Sequence, residues 1–156
     1  AMMLEFARME PEMVRMAFRT LFDETKDVEV RIDRFIYYCN ELLKDYKSKT
    51  FKPLFNRHFQ DDDFAMISLY LAFRYPESYS IYAHRAFVEM LRNLGSPELP
   101  QAPDPARYFK VAKTLYNMIQ KDPELVSLHL RRFKAGDGQG LLIVYEFCLM
   151  DSDGLP

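Results

Sequence analysis

The sequence has no tryptophan, only two cysteines and five glycines in 156 residues. So little glycine disfavours an all-β fold with many tight turns. Cys39 and Cys148 alone cannot build a disulfide framework or a four-cysteine zinc site. No apolar run approaches the ~20 residues of a membrane span. The chain does not open on a charged segment with a small-residue cleavage site. Charge of one sign is missing as well: 21 Lys and Arg stand against 23 Asp and Glu, a net of −2. No global field therefore advertises nucleic acid or a membrane surface. Both cysteines fall in apolar stretches, which predicts buried free thiols in a reducing compartment, the cytoplasm by default.

What is present is a helix-forming pattern along nearly the whole chain. Apolar types make up 49% and charged types 28%, enough to bury a core in one domain of this length. A short apolar segment from Met3 to Met9 ends at Glu10-Pro11. The next segment carries Met13, Val14, Ala17, Phe18, Leu21 and Phe22 at helical spacing. An acidic turn with Asp27 as cap leads into the longest predicted helix, Val28 to Tyr46. Its stripe runs through Val28, Ile32, Phe35, Ile36, Cys39, Leu42, Leu43 and Tyr46, with Arg31, Asp33, Arg34 and Lys44 off it.

Residues 64–75 read two ways. Ile67, Leu69, Leu71 and Phe73 alternate like a strand, whereas Phe64, Ile67, Leu71 and Arg74 fit a helix. Asp62 or Asp63 as cap and Pro76 as stop tip the balance to helix. Tyr79 to Tyr82 is extended. A helix follows from Ala83 to Leu94, with Phe87, Val88, Leu91 and Leu94 inward and Gly95 closing it. Pro97, Pro100 and Pro103 stiffen a connector over 96–103. Asp104-Pro105 and Asp122-Pro123 are twin helix starts, each an acidic cap followed by proline in the first turn. Leu141 to Met150 is helix or strand.

The expected fold is thus mostly α, a multi-helix orthogonal bundle. One short strand or hairpin fits around residues 55–60 and 79–82. The expected organisation is a single helical domain over 1–156, with two lobes split at 96–103 as the alternative. Ala1 ahead of Met2-Met3 reads as a remnant of tag removal, and the helical pattern at the ends suggests a piece of a longer protein.

Catalytic chemistry finds little support. Gly136-Asp-Gly-Gln-Gly140 lacks the spacing and the lysine of a phosphate loop, so it reads as a plain loop. His58 with Asp61, Asp62 and Asp63 is the one dense cluster of ligand-type residues. It fits a solvated, helix-capping turn better than a metal site. His84 and His129 lie in predicted helices without a nucleophile or paired acid at a catalytic spacing. No catalytic residue, metal site or cofactor is expected.

Binding has more to draw on. Lys47, Lys49, Lys52 and Arg57 alternate with Phe51 and Phe55, pairing phosphate-seeking charges with stacking faces. Arg131 and Arg132, with Lys134, form a second basic patch. Tyr75, Tyr79 and Tyr82 with Arg74, His84 and Arg85 make an aromatic-basic stretch that reads better as core edge.

One resemblance gives these patches a context. Phe59-Gln-Asp-Asp-Asp-Phe-Ala-Met-Ile-Ser-Leu-Tyr-Leu-Ala-Phe-Arg-Tyr-Pro-Glu-Ser-Tyr-Ser-Ile-Tyr82 resembles the region ahead of the AAA+ GTPase module in McrB-like proteins of modification-dependent restriction systems. Phe6 to Asp23 resembles the helix pair preceding that run. The resemblance covers about the first two-thirds of the chain and includes no Walker A motif, so no GTPase residue carries over. It implies a non-catalytic module of a prokaryotic defence protein, with DNA, a downstream AAA+ domain and, indirectly, a McrC-type nuclease as partners. Two roles follow: DNA engagement through the basic aromatic loop, or protein interaction and spacing that positions another reader relative to the ring.

Overall fold

A computed structural model describes residues 2–50, 64–131 and 140–152. The chain divides into two compact units, residues 1–61 and 62–156, so the proline connector 96–103 falls inside the second. The described residues form eight helices and no strand, a mostly α architecture. None of these helices is long and apolar enough to cross a membrane.

The first unit holds α1 (Met2–Met9), α2 (Pro11–Leu21) and α3 (Val28–Lys49). Pro11 starts α2 where its missing N–H costs nothing. Val14, Ala17 and Leu21 then repeat every three to four residues and are buried against α3. Ile32, Phe35, Cys39 and Leu42 supply the facing stripe. Phe18 packs edge-on against Phe35, with ring centroids 5.2 Å apart, and Phe6 of α1 meets Tyr46 of α3 in the same way.

Two expectations for this unit need correction. Arg31, placed off the buried stripe by periodicity, is buried, because its Nη1 donates to the Leu21 carbonyl at the end of α2 (3.0 Å). That carbonyl has no partner within its own helix, and a guanidinium answers both the lost hydrogen bond and the negative end of the helix dipole. Asp27 sits at the N-cap of α3, but its side chain makes no capping bond. The turn is organised instead by Asp23, which accepts from the Thr25 hydroxyl and pairs with Lys26. These bonds, the Thr25 hydroxyl foremost, hold the Asp23 carboxyl below its ordinary pKa.

The second unit holds α4 (Ala65–Arg74), α5 (His84–Asn93), α6 (Pro105–Ile119), α7 (Pro123–Leu130) and α8 (Leu142–Ser152). Residues 64–75 are therefore helix, not strand, and 142–152 likewise. The N-cap of α4 is Phe64 at φ +53°, whereas Asp62 and Asp63 lie outside the described residues. The twin starts are as expected. Asp104 accepts from the Arg107 amide (2.9 Å), and Asp122 accepts from the amides of Glu124 and Leu125. Gly95 ends α5 at φ +71°, donating to Arg92 O while Ser96 N reaches Leu91 O; this doubled bond is the Schellman motif. Leu94, expected inward, is consequently the C-cap and 53% exposed, and Met90 takes the core position.

Residues 79–83 are neither helix nor strand and pair with no strand among the described residues. Their polar groups are claimed elsewhere. The Tyr82 amide donates to Ser68 Oγ of α4 (2.9 Å), and the Ile81 carbonyl accepts from the Tyr108 hydroxyl of α6 (2.7 Å). Ser80 Oγ donates to the Leu141 carbonyl (2.9 Å). A sheet would duplicate bonds already made.

At the start of α8, the Leu141 amide donates to the Pro76 carbonyl (2.8 Å). The preceding Gly140 has φ +81°, and a Cβ there would lie 2.3 Å from that carbonyl oxygen. Gly140→Ala is expected to destabilise the chain by roughly 1–3 kcal/mol through strain at a positive φ, read as a lower urea midpoint.

In the first unit, burial pushes the Cys39 thiol from its ordinary 9.0 up to about 12. The unfolded chain then loses this proton first as pH rises. The associated stability is complete below pH 9 and is lost between pH 9 and about 12. Cys39→Ala should remove a slope of up to ~1.4 kcal/mol per pH unit in that window, measured by urea unfolding at stepped pH.

Candidate functional site

The basic residues singled out from the sequence fall in three places. Lys47 and Lys49 occupy the last turn of α3, where positive charge complements the helix dipole. Lys47 is exposed beside a shallow groove of about 340 Å³ lined by Tyr37, Asn40, Glu41, Leu43 and Lys44. Lys49 Nζ pairs with Glu10 Oε1 at 3.0 Å, joining the end of α3 to the start of α2. Lys44 pairs with Glu41, whose hydrogen bond raises the ammonium pKa. Two of the three lysines at this end of α3 thus already have a carboxylate.

Arg131 belongs to the second unit, where it is the exposed C-cap of α7. Phe51, Lys52, Phe55, Arg57 and Arg132 lie outside the described residues, as do His58, Asp61, Asp62 and Asp63. No group of three or more His, Cys, Asp and Glu able to hold a metal ion occurs among the described residues.

The tyrosine-rich stretch belongs to the core, as its sequence reading as core edge expects. Tyr82 is fully buried and Tyr79 nearly so. Tyr82, Phe87 and Tyr108 form a three-ring cluster with centroids 5.2 to 6.1 Å apart, and Tyr79 packs edge-on to Phe109 at 5.0 Å. Rings at these distances and tilts add attraction beyond their buried area. Burial, the largest cause, raises the pKa of the Tyr108 hydroxyl. Arg74 lies over the Tyr75 ring at 5.1 Å, a cation–π contact of a single side chain.

The Tyr82 hydroxyl is the polar centre of this unit. It accepts from the Asp104 amide (3.0 Å) and faces His84 Nδ1 (2.9 Å). One hydroxyl thus ties the N-cap of α6 to the first residue of α5. His129, the second helical histidine, is buried and pairs through Nδ1 with Glu146 Oε2 of α8 at 3.0 Å. Both histidines hold helices in place.

The feature that residue-by-residue reading missed is α7. Its apolar residues have little helical asymmetry: Leu125, Leu128 and Leu130 are 46 to 50% exposed, and its one buried residue is His129. A helix apolar on all sides is normally enclosed on all sides. The signal was legible in Pro-Glu-Leu-Val-Ser-Leu-His-Leu, where leucines recur without a polar face to oppose them. Beside the helix runs a shallow groove of about 510 Å³ lined by Gln120, Pro123, Val126, Ser127, Leu130 and Arg131.

Tyr82→Phe is expected to cost about 1–3 kcal/mol in urea unfolding, because the Asp104 amide loses its buried acceptor. An unchanged midpoint would mean that solvent serves that amide equally well.

No protein-family model matches the chain, and no curated protein or solved structure matches it either.

Proposed function

We propose that the chain is a non-catalytic protein-interaction and spacer module of a McrB-like restriction protein, positioning other parts of that protein relative to its AAA+ ring. The observation that carries the interaction role is the exposure of large apolar side chains on well-formed helices, above all the leucines of α7. Phe73 of α4 is 81% exposed and adds to the same reading. Apolar surface of this kind on a small domain marks contact with another protein surface. The restriction context rests on the sequence resemblance alone.

DNA engagement is the second reading. The lysines at the end of α3 favour it, since they lead directly into the basic aromatic stretch 51–57. Against it stand the carboxylates already bound to Lys44 and Lys49, and the balanced overall charge.

Titration of single- and double-stranded oligonucleotides across salt separates the two. The interaction module should show no salt-dependent binding, and Lys47→Glu with Lys49→Glu should change nothing. An affinity that falls with salt at about 0.9 in log–log slope per phosphate, and that this double variant abolishes, would install DNA binding instead. The restriction context is checked in the parental gene, where a Gly-x-x-x-x-Gly-Lys-Ser/Thr motif is expected downstream of Pro156. A stop codon soon after Pro156 would remove that context.

A further inference from the structure

We infer that the exposed face of α7 is a self-association surface, on which a second copy of this chain docks antiparallel about a two-fold axis. This deepens the interaction-module reading and rests on it. One side of α7 is free. At 100° per residue, Glu124, Leu128 and Arg131 (i, i+4, i+7) share one face, flanked by Leu125. All four are exposed; Glu124, Leu128 and Arg131 lie 100° or more around the helix from buried His129, with Leu125 at the edge between them. The helix thus turns His129 inward to Glu146 and Leu128 outward, with exposed Leu125 at the edge of that face.

Charge along that face selects the occupant. Glu124 stands at its N-terminal end and Arg131 at its C-terminal end, with leucine between. Neither charged side chain is in an ion pair among the described residues. A surface ordered acid, leucine, base is complementary to its own copy turned end for end. Leu128 then packs beside the axis, and Glu124 of each copy meets Arg131 of the other. That self-complementarity is the geometry of an isologous two-fold interface. A parallel copy would set Glu124 against Glu124 and Arg131 against Arg131. An unrelated acidic or basic partner would match only one end.

The surface is small. Eight residues of helix extend about 12 Å, so the contact falls at the weak end of specific interfaces, below ~1,200 Å² in total. The expected species is a dimer that dissociates in the tens-of-micromolar range or above. Its assembly would be reinforced wherever several copies are held together.

Sedimentation equilibrium of the full chain over a concentration series reads this directly, with circular dichroism verifying that each variant stays folded. The chain should move reversibly from monomer to dimer. Leu128→Glu should weaken the dimer ~10-fold or more by placing charge at the axis. Glu124→Arg and Arg131→Glu should each weaken it, whereas the two together in one chain should restore it, because both interface pairs are then reversed rather than lost. A chain that stays monomeric at every concentration up to about 500 μM overturns the proposal, since even a weak interface of this class would populate a dimer there. A dimer indifferent to Leu128→Glu, or a double reversal as weak as the single ones, overturns it equally. The oligonucleotide titration decides the interaction-module reading separately, so either can fail without the other.

Discussion

The Tyr82 hydroxyl fixes how the second unit is assembled. Residues 79–83, neither helix nor strand, bury Tyr79, Ser80 and Tyr82 in the interior and carry peptide groups that need partners there. Each such group that goes unpaired costs as much as several good packing contacts return. The unit meets the cost with side chains instead of a sheet. Ser68 takes the Tyr82 amide, Tyr108 takes the Ile81 carbonyl, and the Tyr82 hydroxyl reaches on to Asp104 at the head of α6. Two helices, α4 and α6, are therefore registered on one segment. The aromatic cluster of Tyr82, Phe87 and Tyr108 fills the space those bonds define. Ring packing and polar pairing come from the same residues, which is why tyrosine serves here better than phenylalanine.

The first unit solves a similar difficulty with one arginine. The end of α2 offers a carbonyl with no intrahelical acceptor role, and Arg31 turns inward to meet it. Packing of Phe18 on Phe35 then proceeds around a satisfied backbone. In both units the groups that looked chemically suggestive, an arginine, two histidines and several tyrosines, are occupied with holding helices together. Apolar surface also remains exposed among the described residues. It is most concentrated on α7, where polarity is arranged inside out, with His129 buried and leucines exposed. The buried His129 ties α7 to α8 through Glu146, and the exposed leucines are the surface assigned to a second copy in the proposed dimer.

Much of the helical framework was legible because its signals are local. Asp104-Pro105, Asp122-Pro123 and Gly95 act within one turn of themselves, and they begin or end helices where the spacing placed them. The binding residues were less legible. Lys49 reads as a free phosphate-seeking charge until Glu10, 39 residues away in sequence, is seen beside it. Arg31 reads as solvated by its helical phase, yet a long flexible side chain can reach a buried carbonyl from the edge of a stripe. Leu94 sits at an inward phase, but the doubled bond at Gly95 ends the helix there and leaves it at the surface.

Residues 64–75 mark the boundary between the two kinds of information. Their alternation and their helical periodicity are both real, and sequence could only weigh one against the other. Tertiary structure decided it: α4 must present Ser68 to the Tyr82 amide with Ile67 and Leu71 on the core side, which only the helical phase allows. By itself the sequence determined a mostly α chain with capped helices, free buried cysteines and no span for a membrane helix. The two-unit division, the side-chain partners of segment 79–83 and the outward leucines of α7 came from the tertiary structure. Each depends on which distant groups meet, and no local periodicity encodes that.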